Sequence, residues 1–172
     1  MKKKVLIIED NTDIRENVVE ILELAGYEVF DADNGKAGVD LAVKNLPDII
    51  LCDIMMPELD GYGVLYLLHK NPATAVIPFI FLTAKAERLD LRKGMEMGAD
   101  DYLTKPFDDM ELLHAIETRL KKKENQQTFY SKSLEKLNDF VNRNDGLNEL
   151  KKIINERKSR QFKKNQVMIY EI

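Results

Sequence analysis

The sequence predicts an α/β protein in which a parallel β-sheet is covered by helices on both faces. Short apolar segments alternate with amphipathic helical segments at a repeat of about 25 residues, and no other fold class accommodates this alternation as simply. The segment Ile49–Cys52 is apolar at every position, which is typical of a strand buried on both faces.

Five strands follow from the apolar segments and the residues that bound them. They are expected over Lys4–Ile8, Tyr27–Ala32, Asp48–Asp53, Val76–Thr83 and Asp101–Thr104. Because parallel strands are joined by right-handed crossovers, this number of units suits a flavodoxin-like, doubly wound sheet with the strand order 2-1-3-4-5.

Five helices are predicted between and after these strands. Residues that can cap a helix stand at 11–13 and at Asn34, and Gly26 is a typical end signal. Helical spacing of apolar residues places the helices over 12–25, from 35 onward, and over 63–71, 87–97 and 108–123.

The composition is that of a globular protein whose charge is unevenly distributed. Residues 1–120 carry 13 Lys and Arg against 23 Asp and Glu, whereas residues 121–172 carry 13 against 7. A net charge of −10 beside one of +6 indicates two units with different roles, for which we place the boundary at residue 122.

Neither a membrane span nor a disulfide framework is expected. No apolar run approaches the roughly 20 residues that a membrane helix needs, and the run after Lys4 is too short for a signal peptide. Cys52 is the single cysteine, and we expect it to be a small core residue. With no disulfide possible within the chain, we expect the protein to be in the reducing cytoplasm.

Polar side chains stand where the predicted strands end. They are Glu9 and Asp10 after the first strand, Asp53 at the third, Thr83 at the fourth and Lys105 at the fifth. Because the carboxyl ends of parallel strands share one edge of the sheet, these groups should converge where open α/β sheets bind ligands. Asp53 alone is equally consistent with a turn cap; the complete set indicates a site.

The predicted set has the chemistry of phosphoryl transfer to a carboxylate. Three carboxylates a few ångströms apart repel one another unless a cation lies between them, and Mg²⁺ prefers such oxygen ligands. A lysine and a hydroxyl opposite the metal would stabilise the oxygens of a phosphoryl group. Asp53, at the centre, would then be the nucleophile that forms an aspartyl phosphate.

The same residues carry a resemblance to a known family. In order along the chain stand Glu9–Asp10, Asp53, Met56–Pro57, Asp60–Gly61, Thr83–Ala84, Lys105–Phe107 and Glu111–Leu112. With this series, residues 3–122 resemble the receiver domain of bacterial two-component response regulators. Each motif is weak alone, whereas the complete series on the correct strand ends is specific.

The resemblance implies a metal site and a phosphoacceptor. The Mg²⁺ ligands would be Glu9, Asp10, Asp53 and the backbone carbonyl of Met55. Asp10 would bind the ion directly and Glu9 largely through water. Asp53 would also accept the phosphoryl group.

The resemblance further implies how phosphorylation is sensed. Thr83 and Lys105 would bond phosphoryl oxygens. Tyr102 is similar to the family's aromatic switch, which turns inward when the hydroxyl residue moves. The Lys105–Pro106 bond is similar to the family's cis peptide.

The expected function is therefore that of a signalling switch rather than an enzyme that turns over a metabolite. A sensor histidine kinase or a phosphotransfer protein would supply the phosphoryl group, with Mg²⁺ as the cofactor. The resulting change of conformation and dimerisation would control an output such as transcription.

Two rival interpretations differ from this one. Mg²⁺-dependent phosphatases with an aspartyl nucleophile favour a second acid two residues later, where this chain has Met55. A vestigial receiver that acts only as a protein-interaction module stays open as the alternative, although all five pocket residues are present. His69 and His114 lie on predicted helices away from the strand ends, and we interpret both as incidental.

Residues 123–158 are interpreted as a helical linker. Steps of three and four residues continue the last helix through Lys123, Gln127, Tyr130, Leu134, Leu137 and Val141, a heptad seam with polar interruptions. This seam favours a dimerising stalk and hence a homodimer. The alternative is a separate helix over Ser133–Asn142 that folds back on the receiver.

Residues 159–172 are interpreted as the start of a second domain that continues beyond this sequence. Val167–Tyr170 is predicted as a strand, and no partner strand follows it. Over this short stretch the chain is similar to the beginning of the cyclic-nucleotide-binding-like barrel of catabolite-activator-type regulators. No helix-turn-helix is evident, so nucleic-acid binding is not assigned to this chain.

Overall fold

The computed structural model describes residues 1–84, 98–142 and 148–157. The chain divides into two compact units, Met1–Glu124 and Asn125–Ile172. Among the described residues, no helix combines the length and apolar character that a membrane span requires.

The first unit is built on a five-stranded parallel sheet. Its strands are β1 (Lys4–Ile8), β2 (Glu28–Ala32), β3 (Ile49–Asp53), β4 (Phe79–Ala84) and β5 (Asp101–Lys105). They are ordered β2-β1-β3-β4-β5, and all four neighbouring pairs are parallel. The predicted fold class and strand order are confirmed.

The described helices follow the strands as the alternation predicts. They are α1 (Thr12–Leu24), α2 (Gly35–Asn45), α3 (Gly61–Lys70), α4 (Asp109–Asn142) and a helical segment over 148–157. Asn11 caps α1, Asn34 caps α2 and Asp60 caps α3, each through a side-chain oxygen. The helix predicted over 87–97 and the strand predicted over 167–170 lie outside the described residues.

Two elements begin two or three residues away from their predicted starts because of local hydrogen bonds. Helix α3 begins at Gly61 rather than Gly63, since the Asp60 carboxylate accepts the Gly63 amide proton at 2.7 Å and so places the cap earlier. Strand β4 begins at Phe79 rather than Val76. The Thr74 hydroxyl donates to the Leu68 carbonyl at 2.7 Å, and this bond stabilises a turn in the residues just before Phe79.

The sheet is buried on both faces. On one side α2 and α3 pack with strand residues of the core that includes Leu6, Ile8, Ile50 and Cys52. On the other, α1 and α4 pack on the core that includes Val5, Ile7, Ile49 and Leu51. Alternate residues of β1 and β3 therefore face opposite cores, as a doubly covered strand requires. Cys52 is a buried free thiol, as predicted.

One continuous helix, α4, covers the region where the sequence left two interpretations open. It runs over 34 residues from Asp109 to Asn142. The Ser133 hydroxyl donates to the Phe129 carbonyl four residues earlier at 2.8 Å, within the helix. The alternative prediction of a separate helix that begins at Ser133 is therefore wrong. Dimerisation through the helix stays a prediction.

Candidate functional site

The carboxyl ends of β1, β3 and β5 meet at one point through the side chain of Lys105. Its Nζ lies 2.6 Å from Asp53 Oδ1 and 2.6 Å from Glu9 Oε2. These bonds span 96 and 52 residues of sequence to Glu9 and Asp53 respectively. The structure therefore brings together three of the groups that were predicted to converge.

Asp10 completes an acidic cluster beside this lysine. One carboxylate oxygen each from Glu9, Asp10 and Asp53 lies within 4.8 Å of the others. Glu9 and Asp53 are buried, with only 1% and 6% of their surfaces exposed, whereas Asp10 is exposed. The cluster is thus walled by protein on one side and open to solvent at Asp10.

Glu9 and Lys105 form an ion pair, and burial and neighbouring charges shift the pKa of each. Burial raises the pKa of the Glu9 carboxyl, and the Asp53 charge adds to this, while Lys105 opposes it. Burial lowers the pKa of the Lys105 ammonium, but its hydrogen bonds to Asp53 and Glu9 prevail, so the pKa lies above its ordinary value. The Lys105 side chain therefore keeps its proton and its positive charge beside the two carboxylates.

The backbone around Asp53 is fixed by its neighbours on both sides. In the sheet Asp53 pairs with Leu82, and the Ile54 amide donates to the Leu82 carbonyl at 3.1 Å. The chain then loops back, because the Gly61 amide donates to the Ile54 carbonyl at 3.0 Å. A Cβ on Gly61 would lie 2.4 Å from the Asp53 carbonyl oxygen, so only glycine permits this approach.

Thr83 and Tyr102 lie on the opposite side of the sheet from Lys105. Tyr102 pairs in register with Phe81, and Thr83 pairs with Thr104, so these four residues share one face. Thr83 is buried, and its hydroxyl donates to the Ala84 carbonyl at 3.2 Å. Tyr102 is 44% exposed. This is the arrangement that an inward-turning aromatic switch would start from.

The remaining predicted positions differ in how far the structure bears on them. The Lys105–Pro106 peptide bond is cis, as the resemblance implied. The Met55 side chain is exposed, and the role of its backbone carbonyl stays a prediction. His69 and His114 are exposed on α3 and α4.

The residues of the acidic cluster fit a hard divalent cation. All three donors are carboxylate oxygens, the ligand type that Mg²⁺ prefers, and the exposed side at Asp10 leaves access for the water ligands that this ion retains. Close carboxylates also repel one another, which a cation relieves. The donor set thus supports the predicted metal.

Two interactions near the strand ends were not predicted from the sequence. Arg15, in the first turn of α1, donates from Nη1 to the Glu9 carbonyl at 2.8 Å. Asp108 and Glu111 form a reciprocal cap at the start of α4, with bonds of 2.8 and 3.1 Å between each side chain and the other's amide. The Asp-x-x-Glu spacing after Pro106 was a readable signal for this cap, whereas Arg15 left no local signal.

Comparison with known proteins agrees with the geometry. The profile of the response regulator receiver domain family matches residues 5–117. The chain is 43% identical over 119 residues to the DNA-binding dual master transcriptional regulator RpaA of Synechocystis, covering 69% of this chain and 49% of that protein. It is 40% identical over 120 residues to the phosphate regulon transcriptional regulatory protein PhoB of Pseudomonas aeruginosa, covering 70% and 52%.

A solved structure shows the same fold. The response regulator receiver domain protein from Clostridium thermocellum superposes with a TM-score of 0.68 at 29% identity, covering 72% of this chain and 98% of that one. The chain spans about half the length of the curated relatives it matches. Through its parallel sheet, its strand-end cluster and the match over residues 5–117, this chain belongs to the response regulator receiver domain family.

Proposed function

We propose that the protein is a phosphorylation switch whose phosphoacceptor is Asp53. The observation that carries this proposal is the position of the Lys105 ammonium, 2.6 Å from the Asp53 carboxylate and 2.6 Å from Glu9. A nucleophile for phosphoryl transfer needs a cation beside it to neutralise the oxygens of the arriving group. Lys105 stands where that charge is required.

The phosphoryl donor would be the phosphohistidine of a sensor histidine kinase or of a phosphotransfer protein. An Asp53 oxygen forms the new bond to phosphorus as the bond from phosphorus to the histidine nitrogen breaks, and the electron pair stays with the imidazole. The product is an acyl phosphate on Asp53. Lys105 then pairs with a phosphoryl oxygen, so that one ammonium serves both states.

Mg²⁺ would be held by Glu9, Asp10, Asp53 and the Met55 carbonyl. When bound, the ion would supply further positive charge at the acidic cluster and thereby lower the repulsion between the carboxylates and an incoming phosphoryl group. The exposed Asp10 and the buried Glu9 have different roles here. Asp10 is accessible as a ligand, whereas Glu9 accepts a hydrogen bond from Lys105 and so holds the Lys105 ammonium in position.

The phosphorylated state would be read by Thr83 and Tyr102. The Thr83 hydroxyl leaves its Ala84 contact to bond the phosphoryl group, and the space it vacates admits the Tyr102 ring. The two residues share a sheet face on neighbouring strands, which supports this coupling. Burial of the Tyr102 ring would remake the surface of β4 and β5 and thereby bias the equilibrium between two conformations.

We further propose that the output involves a homodimer and transcription. In α4 the exposed residues Tyr130, Leu134 and Leu137 recur at steps of four and three, which is one stripe of a helix. A second copy of the chain could cover this stripe. RpaA and PhoB are named as transcriptional regulators, and this supports a regulatory output for the full protein.

The test is intact mass and sedimentation of the chain with Mg²⁺ and acetyl phosphate. We expect one phosphoryl group on the wild type, none on Asp53→Ala, and much less on Asp10→Asn. Asp13→Asn is the matched control, because Asp13 is an exposed acid of the first turn of α1 that lies outside the acidic cluster. It should be modified like the wild type.

Three results would contradict parts of the proposal. Modification of Asp53→Ala at the wild-type rate would exclude Asp53 as the acceptor. Normal modification without any change of assembly would exclude phosphorylation-driven dimerisation. If the wild type neither gains mass nor binds beryllofluoride with Mg²⁺, the protein is a vestigial receiver that acts as an interaction module.

A further inference from the structure

Arg15 ties the acidic turn to two other elements. From the first turn of α1 its Nη1 donates to the Glu9 carbonyl at 2.8 Å, and its Nε donates to Asp31 Oδ2 at 3.2 Å in β2. Only 13% of the Arg15 side chain is exposed. Two hydrogen bonds hold this planar, largely buried guanidinium in one orientation, whereas the ammonium of a surface lysine is mobile.

The carbonyl that Arg15 holds belongs to the peptide unit between Glu9 and Asp10. Because a peptide unit is planar, fixing its oxygen also fixes the orientation of the Asp10 amide and Cα. Glu9 is held besides by Lys105 at its carboxylate and by the Ala32 carbonyl at its amide. The Asp10 carboxylate is exposed, and the peptide unit that Arg15 contacts is the one that leads into Asp10.

We propose that Arg15 is a positioning residue for the metal site, which holds the Glu9–Asp10 peptide so that the Asp10 carboxylate faces Glu9 and Asp53. This inference rests on the proposed function, since it concerns the affinity of the same cluster for Mg²⁺. In this role Arg15 would contact neither the ion nor the phosphoryl group. Its effect passes through one backbone carbonyl.

A positioning role and a pure charge effect predict opposite changes in Mg²⁺ affinity when Arg15 is replaced. A guanidinium near a cation site repels the cation, so removal of the charge alone would tighten Mg²⁺ binding. Loss of the carbonyl bond instead frees the Asp10 backbone and weakens binding. Arg15→Lys keeps the charge and loses the planar fork, whereas Arg15→Gln loses both.

The experiment measures the Mg²⁺ dissociation constant of the full chain by calorimetry. We expect Arg15→Gln and Arg15→Lys each to bind Mg²⁺ about tenfold more weakly, as is typical when a group that orients a ligand is lost. Asp31→Asn removes only the outer anchor of the guanidinium, and Asp31 is exposed, so this variant should fold and show a smaller weakening.

Arg119→Gln is the matched control. Arg119 on α4 makes a similar ion pair with Asp101, at 2.7 and 3.0 Å, and 22% of its side chain is exposed. Asp101 begins β5, at the strand end opposite Lys105. Arg119→Gln should lower the melting temperature as much as an Arg15 variant does and leave the Mg²⁺ affinity unchanged.

A spectroscopic signature separates positioning from general stability. In metal-free protein, the amide NMR signal of Asp10 should shift in both Arg15 variants and stay in place in Arg119→Gln. Wild-type Mg²⁺ affinity in both Arg15 variants would overturn this inference alone. Tighter binding by Arg15→Gln with unchanged Arg15→Lys would show a charge effect and overturn it as well. Absence of Mg²⁺ binding by the wild type would overturn the proposed function, and this inference with it.

Discussion

Lys105 Nζ and Asp53 Oδ1 are 2.6 Å apart, although 52 residues separate the two in the sequence. The same nitrogen is 2.6 Å from Glu9 Oε2, so one ammonium balances two buried carboxylates. This arrangement couples the charge of Asp53, the proposed nucleophile, to that of Glu9, a proposed metal ligand. The consequences can be measured.

Lys105→Met should slow the phosphorylation of Asp53 by acetyl phosphate about a hundredfold, because it removes a preorganised donor for the phosphoryl oxygens. The same variant should bind Mg²⁺ more tightly than the wild type, since a cation beside the acidic cluster is gone. Mass spectrometry gives the rate and calorimetry the affinity. Lys121→Met, on the exposed face of α4, is the control. Equal rates for the two variants would remove Lys105 from the mechanism.

Gly61→Ala should destabilise the receiver by about 1–3 kcal/mol, the usual cost of overpacking. The new Cβ would lie 2.4 Å from the Asp53 carbonyl oxygen, which is backbone and cannot yield cheaply. Gly63→Ala in the same helix meets side-chain atoms, the end of Leu59 at 2.5 Å and Asp60 Oδ1 at 3.3 Å, so helix propensity should offset its cost. Urea unfolding compares the two, and similar losses would show that the contact with Asp53 is not what requires glycine.

The Cys52 thiol should be unreactive toward thiol reagents until the protein unfolds. Burial raises the pKa of this thiol well above its ordinary value of 9.0, so the folded protein disfavours the reactive thiolate. Because the folded pKa is the higher one, this contribution to stability is complete below pH 9 and is lost as the pH rises above it. The free energy of unfolding should therefore fall less steeply above pH 9 in Cys52→Ala. Fast labelling of the native wild type would contradict the burial.

Thr83→Ala should separate phosphorylation from its readout. Asp53 and Lys105 are unchanged, so the variant should still bind beryllofluoride with Mg²⁺. The position of Tyr102 should no longer depend on that binding, because the variant has no Thr83 hydroxyl for the phosphoryl analogue to draw away. The NMR signals of the Tyr102 ring report this. Thr104→Ala removes a hydroxyl from the residue that lies beside Thr83 in the sheet register and should leave the switch intact. A Tyr102 response in Thr83→Ala like that of the wild type would end the coupling.

Leu134→Lys together with Leu137→Lys should abolish a dimer built on α4. These side chains are 60% and 50% exposed in the single chain, and a charge at each seam position would be buried against its own copy. Lys132→Glu changes the charge of the same helix off the seam and should leave assembly unaffected. Sedimentation of the phosphorylated proteins decides between them. A dimer that survives the double substitution must use another surface.

Local patterns in the sequence determined the architecture of the first unit. The apolar alternation, the caps at Asn11 and Asn34 and the end at Gly26 all depend on neighbours within a few residues, and the structure has them. The starts of α3 and β4 shifted by two and three residues, where the side chains of Asp60 and Thr74 competed with the pattern. Because parallel strands end at a common edge, the candidate site also followed from the pattern.

Tertiary structure alone decided which atoms of that site touch. The sequence placed Lys105, Glu9 and Asp53 at one edge, but the sheet register and the packing of α1 decided that one ammonium bridges both acids and that Arg15 holds the Glu9 carbonyl. Such contacts depend on small differences in the distances between atoms of residues that are far apart in the chain. Periodicity carries no information at that scale, because it records which face a residue occupies and not which atom it meets.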